Sequence, residues 1–270
     1  MEPPLIHVRR MHFDLEEVPR YWHSGSPFLT HYFTAMSLLF PPGEKFFIDS
    51  VRNFEGQISD PILREQVKDF SGQEAQHSHH HRVYDRKMTR EGTPVQRYEG
   101  WIEWALQLAR RWTPKKLQLA VTITLEHFTA VFANVLLSEP KFSEGMDPNV
   151  RLLWLWHAVE ETEHKAVAYD VYQQVSGSYW LRALVMVRIL LGFPFAIGFF
   201  HLLLLAGDRK LGNLRDVARG MRFVWGKGGF ARSATPELLG FFRRDFHPWQ
   251  NDNRELIGEW MAQYGDRSAG

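Results

Sequence analysis

The sequence predicts an all-α chain in which four helices bundle around a shared interior site and further helices follow at the C-terminal side. Three observations carry this. A Glu-x-x-His spacing occurs twice, at Glu74/His77 and Glu161/His164, and each copy is preceded by a lone glutamate, Glu44 and Glu126. Residues three apart on a helix point the same way, so each copy offers one carboxylate and one imidazole to a single point. His81 and His157 extend the same faces: at about 100° per residue, Glu74, His77 and His81 fall within roughly 60° of one another, as do His157, Glu161 and His164. The order inverts between the two helices, as antiparallel neighbours facing a common site would require. Finally, apolar residues recur at helical spacing between proline, glycine and capping signals from Pro27 to Gly177.

The elements follow in order. Residues 1–25 form an N-terminal arm; Pro3, Pro4, Arg9, Arg10 and the charges at Asp14, Glu16 and Glu17 leave no apolar core of a signal peptide, and the mature protein is expected to begin where the sequence does. The alternation from Leu5 to Phe13 permits a strand or an extended arm, and without a partner strand it is read as irregular. A helix from about Pro27 to Phe40 is interrupted by Pro41, Pro42 and Gly43, and a second begins near Glu44, which places Glu44 at a helix start. Asp60 and Pro61 read as N-cap and first position of the next helix, which carries Glu74, His77 and His81 and ends near Gly92. Thr93 is expected to cap a helix from about Pro94 to Trp112, and Thr113 with Pro114 opens one that includes Glu126 and ends before Pro140. The second Glu-x-x-His helix runs from about Asp147 to Val175 and closes at Gly177. Residues 26–177 are thus read as the bundle, and 178–270 as an apolar helix plus short C-terminal helices packed on the bundle or on a partner subunit.

Composition narrows the chemistry. With 32 basic against 31 acidic residues the net charge is +1, so no overall field argues for nucleic acid. The chain has no cysteine, which excludes disulfides, thiolate catalysis and iron–sulfur ligation and leaves Glu, Asp and His as ligands. No phosphate loop, nucleophile elbow or dinucleotide fingerprint is present. A lone Glu-x-x-His is most often a solvated helix face. Here, however, Glu126 sits in Leu-Gln-Leu-Ala-Val-Thr-Ile-Thr-Leu-Glu-His-Phe-Thr-Ala-Val-Phe-Ala, and His157 and Glu161 lie beside Leu152, Trp154, Trp156 and Val159, where unpaired ionisable groups are costly. Two metal ions held by Glu44, Glu74, His77, Glu126, Glu161 and His164, with His81 and His157 as further candidates, satisfy that requirement. Glu160 and Asp85 are the candidates to hold the leftover ring N–H groups of the histidine ligands. His79, His80 and Glu163 are read as solvated, His127 as packing or as a group supporting a ligand from behind, and Tyr84 as a core aromatic.

Four blocks carry a resemblance: Phe40-Pro41-Pro42-Gly43-Glu44-x-Phe46-Phe47, Gln73-Glu74-Ala75-x-His77-x3-His81, Leu125-Glu126-His127-x-Thr129-Ala130 and Trp156-His157-Ala158-x-Glu160-Glu161-x-Glu163-His164-Lys165. They resemble a bacterial family labelled "predicted metal-dependent hydrolase", itself similar to the ferritin-like superfamily, over roughly residues 10–250. The resemblance implies a ferritin-like four-helix bundle and a metal centre. The Glu160-Glu161-x-x-His164 block also resembles the motif of oxygen-activating di-iron proteins, while His81 and His157 exceed the minimal ferritin-like ligand set. The favoured expectation is a non-haem di-iron oxidase or oxygenase using dioxygen and an electron donor on a small or lipid-like substrate. The alternative is a hydrolase using metal-activated water. Iron is the favoured metal, with manganese or zinc as alternatives.

The stretch from Ala183 to Ala206 is almost wholly apolar except for Arg188 and His201. From Ile189 to Leu205 it spans about 25 Å of helix, short of the roughly 20 residues a membrane crossing takes. Gly192, Pro194 and Gly198 invite a kink. It is read first as a buried helix or a dimer interface, second as a membrane-surface attachment of an otherwise cytoplasmic protein, and last as a true span.

Overall fold

Residues 6–268 are described by the computed structural model, so Pro3, Pro4 and Leu5 of the arm lie outside the described residues. The chain is all-α: α1 (Pro27–Arg52), α2 (Pro61–Arg90), α3 (Val95–Trp112), α4 (Lys115–Ser138), α5 (Pro148–His164), α6 (Val167–Val175), α7 (Tyr179–Gly207), α8 (Leu214–Trp225), α9 (Phe230–Gly240) and α10 (Arg254–Tyr264). An isolated bridge pairs His23 with Met146.

Helix starts follow local chemistry. Ser26, Asp60, Asp147 and Ser178 each accept a hydrogen bond from a backbone N–H of the first turn, and in three of the four a proline occupies the first position, where its missing donor is harmless. Thr93 does not cap α3; its carbonyl accepts from Val95 N and its side chain takes no part in a cap.

Three boundaries differ from the sequence reading. α1 runs unbroken through Pro41 and Pro42, so Glu44 lies inside a helix. Each proline removes one intrahelical donor, yet both rings are buried in the core and Ser78 Oγ donates to the Pro41 carbonyl at 3.4 Å, so tertiary packing outweighs the local break. The second Glu-x-x-His helix ends at His164, and α6 starts separately at Val167. At that turn Lys165 Nζ reaches Asn251 O at 2.7 Å and Asn253 Oδ1 at 2.6 Å, a distant anchor that no local propensity encodes. α7 does not stop at its glycines or at Pro194; its 29 residues span about 43 Å.

α1 packs on α2 and α4 on α5, and the facing sides of these helices enclose the glutamates and histidines. α7 lies along α1 and α4, and α9 along α4, while α10 rests on α5. Gly220 permits α8 to approach α1, because a Cβ there would lie 2.0 Å from Phe28 Cδ1. The arm is extended with Arg9, Met11, Phe13 and Leu15 turned inward, the alternation its sequence carries, but it forms no ladder.

Among the described residues two helices are long and apolar enough to cross a membrane, and they differ in surroundings: α4 is a core helix, whereas the most apolar part of α7 is only 28% buried. Within the chain the apolar stretch is therefore buried only in part. α7 has an apolar surface on every side and only one side finds neighbours. Leu184, Val187, Leu191, Phe195, Phe199 and Leu202 form an exposed stripe at helical spacing.

Candidate metal centre

All eight side chains nominated from the sequence as ligands are at most 3% exposed. α1 supplies Glu44, α2 supplies Glu74, His77 and His81, α4 supplies Glu126, and α5 supplies His157, Glu161 and His164. Two groups have ligand atoms within 4.8 Å of one another: Glu44 with His77 and His157, and Glu74 with Glu161 and His164. Glu126 adjoins the second, its Oε2 lying 3.5 Å from His164 Nε2. Glu161 spans the two. Its Oε1 is 3.0 Å from His157 Nε2 and 3.7 Å from His77 Nδ1, while its Oε2 is 3.5 Å from His164 Nε2 and accepts from Thr129 Oγ1 at 2.5 Å.

Each imidazole is oriented from behind. His77 Nε2 meets Glu160 Oε2 at 3.1 Å, leaving Nδ1 toward the centre. His164 Nδ1 meets Gln73 Oε1 at 2.9 Å, leaving Nε2 inward. His157 Nδ1 meets His81 Nε2 at 2.7 Å, leaving Nε2 near Glu161 and Glu44. His81 therefore spends one nitrogen on His157 and the other on Ser37 Oγ at 2.8 Å, and it belongs to neither three-residue group. Asp85 reaches this chain of contacts only through Ser37, at 3.5 Å.

The electrostatics separate the carboxylates. Burial, reinforced by neighbouring carboxylates, pushes Glu44, Glu74 and Glu126 well above the usual carboxylate range. Burial acts the same way on Glu161, but His164 and His157 overcome it and hold this group well below that range. Burial pushes His77 and His81 well below the ordinary imidazole value, which keeps them neutral, the form that ligates.

The donor set fits metal ions on an independent test. Glu44 Oε1, both oxygens of Glu74, both of Glu126, His77 Nδ1 and His164 Nε2 are buried without a hydrogen-bond partner. Buried polar atoms are normally satisfied, and here seven orphans point into one place. Cations between them would supply the missing partners and keep the carboxylates ionised.

Around this lies a support that sequence reasoning missed. Arg9, from the arm, donates to Glu163 Oε2 at 2.7 Å, to Glu163 Oε1 at 2.5 Å and to Glu160 Oε1 at 3.3 Å. Glu163 also accepts from Gln73 Nε2 at 2.8 Å. Glu163 and His80, read as solvated, are buried at 4% and 8% exposure, because the arm covers that side of α2 and α5; Phe13 of the arm lies edge-on to His80. His79 is exposed as expected. His127 stacks on Phe241 and Tyr84 is held by Trp22 and Thr34, both away from the ligand groups. The one signal for Gln73 was its place beside Glu74; for Arg9 there was none.

Fold and site together define an all-α protein with a buried carboxylate–imidazole centre offering two adjoining ligand groups. The chain matches the family described as "Predicted metal-dependent hydrolase" over residues 7–252 and belongs to that family. No curated protein and no solved structure matches it. The expectation of an oxygen-activating oxidase or oxygenase is corrected by this assignment, which favours the alternative of hydrolysis.

Proposed function

We propose that the protein is a dinuclear metal-dependent hydrolase. The carrying observation is the convergence of orphaned buried ligand atoms from four helices on one centre, with Glu161 placed between the two groups. Four helices that each contribute a carboxylate, two of them with a histidine three residues on, also support the ferritin-like comparison. Glu44, His77 and His157 would hold one ion and Glu74, Glu126 and His164 the other, with Glu161 shared. The mixed oxygen and nitrogen donors suit zinc, manganese or ferrous iron. When bound, the ions supply Lewis acidity and activation of water for cleavage of a small-molecule substrate.

The protein's own part is positional. Glu160, Gln73 and His81 fix which nitrogen each ligand histidine presents, and Thr129 fixes one oxygen of Glu161. Phe33, Phe40, Trp154 and Phe193 wall a small cavity of about 40 Å³ that reaches His157 and Glu161 and keeps bulk water from the centre.

The apolar stripe of α7 supports contact with a lipid surface. It continues through a Phe199–Trp101 ring contact at 6.4 Å onto α3, where Trp104, Leu108 and Trp112 are exposed. Exposed tryptophans and the cations Arg111, Lys115, Lys116 and Arg188 border it, the arrangement of an interfacial helix lying on anionic lipid. One side of α7 packs along α1 and α4 and the other is free, which supports a helix lying on such a surface over one that crosses it.

Hydrolysis of a panel of nitrophenyl esters and phosphoesters by metal-loaded protein tests the reaction. Turnover lost on chelation and restored by added zinc or manganese is expected; turnover unaffected by chelation, or none with any metal, contradicts the proposal.

A further inference from the structure

We infer that the cavity between α1, α4, α7, α8 and α9 is a binding site for a linear acyl chain, an inference that rests on the hydrolase reading and names its substrate class. The cavity measures about 470 Å³ and no charged side chain lines it. That size lies within the roughly 300–1,000 Å³ of small-molecule sites. Its few polar groups are not aimed at a polar ligand: His201 Nε2 is engaged with the Phe28 carbonyl at 3.0 Å, and Tyr32 and Thr235 are scattered among aliphatic and aromatic walls. An interior with no charge and no convergent donors has nothing to recognise in a headgroup. It takes a hydrocarbon.

Its position supplies the second argument. Leu202, Leu211, Met221 and Trp225 line it and are exposed, so its mouth opens beside the apolar stripe of α7. At the inner end Phe132 belongs to its wall and also to the wall of the small cavity that touches His157 and Glu161. Phe132 packs against Phe128, Phe193 and Phe230 at 5.3–6.5 Å, an aromatic constriction between the two spaces. The inner space, about 40 Å³, is far smaller than the outer cavity of about 470 Å³. A ligand that fills the outer cavity and still presents a bond at the centre must therefore be slender where it passes Phe132. A straight chain meets that shape; a compact ring system does not.

The glycines of α7 provide a matched test. A Cβ added at Gly198, in the cavity wall, or at Gly192, outside it, meets nothing within 4 Å, so neither Gly198→Phe nor Gly192→Phe clashes at its first side-chain carbon and the two differ in where the ring goes. Thr235→Trp narrows the cavity from α9 and serves if Gly198→Phe fails to fold. The probe is a dansyl-labelled undecanol, neutral and without a hydrolysable bond, titrated into the full-length protein and read by dansyl emission. Wild type and Gly192→Phe are expected to bind with a blue shift, and the cavity variants to lose at least about tenfold in affinity. Absence of binding to wild type, equal binding by the cavity variants, or equal loss in Gly192→Phe overturns the inference. Because the probe carries no cleavable group, failure here leaves metal-dependent turnover standing, and loss of turnover leaves the chain site standing.

Discussion

The centre enclosed by α1, α2, α4 and α5 and the flank made by α3 and α7 break the same rule in opposite directions. In the centre, four carboxylates and four histidines are buried where charge is disfavoured. On the flank, Trp104, Trp112, Trp180, Leu191 and Phe195 are 67–74% exposed where apolar groups should be covered. Scattered exposed leucines mean little and so does a paired buried charge, but a cluster of unpaired buried donors and a continuous apolar stripe each point to a partner outside the chain. For the centre the proposed partner is a pair of cations; for the flank the proposed partner is a lipid surface.

The largest expected effect tests the centre. Glu161→Ala removes the one carboxylate that spans both groups, and turnover is expected to fall by about 10³-fold or more with loss of bound metal, read by steady-state rates and elemental analysis. A fall in turnover with metal content unchanged would assign Glu161 a role other than ligation. Next comes the support. Arg9→Met leaves Glu160 and Glu163 buried without their cation, and a loss of about 3–5 kcal/mol is expected in chemical denaturation. A variant as stable as wild type would show the arm to be a dispensable cover.

The flank responds differently. Leu191→Glu with Phe195→Glu places charge on two side chains that are each 74% exposed, so stability should move by no more than about 0.5 kcal/mol. Co-sedimentation with phosphatidylglycerol vesicles should drop at least tenfold, since each large apolar side chain contributes about 1.5–3 kcal/mol when buried. Undiminished sedimentation, or a concentration-dependent dimer that the variant abolishes, would give the stripe to another partner.

The smallest effect concerns acid. Burial lowers His23 and His201 to about 4, so both are neutral in the fold and take up protons only on unfolding once the pH is below 6.5. Stability is therefore expected to decline as pH falls from 6.5 toward 4, by up to roughly 1.4 kcal/mol per unit for each group. Urea midpoints should follow that slope in wild type and a shallower one in His201→Gln; parallel curves would remove His201 from the account.

What the sequence made legible was periodic and local. The Glu-x-x-His spacing, the added histidines on the same faces and the Asp60-Pro61 start of α2 are all set by one helical turn, and the neighbour Glu160 lies against His77 as histidine ligation leads one to expect. Contacts between distant segments stayed hidden. Arg9 and Glu163 are 154 residues apart, so nothing local marks Glu163 as buried. The turn after His164 falls on Lys165 and Ala166, both good helix formers, where Lys165 contacts the distant Asn251 and Asn253 and no local signal marks a break. Pro41 and Pro42 misled in the other direction, as a local break overridden by packing. His81 shared the ligand face, yet only the structure shows both of its nitrogens already engaged.

The central claim is that the orphaned atoms of the centre hold two cations. Elemental analysis of the full-length protein, loaded with zinc or manganese and freed of excess, tests it most directly. Two ions per chain in wild type, falling when Glu74, Glu126 and Glu161 are replaced by glutamine, is the predicted result. A protein that retains no metal, or retains the same amount after those three replacements, would contradict it.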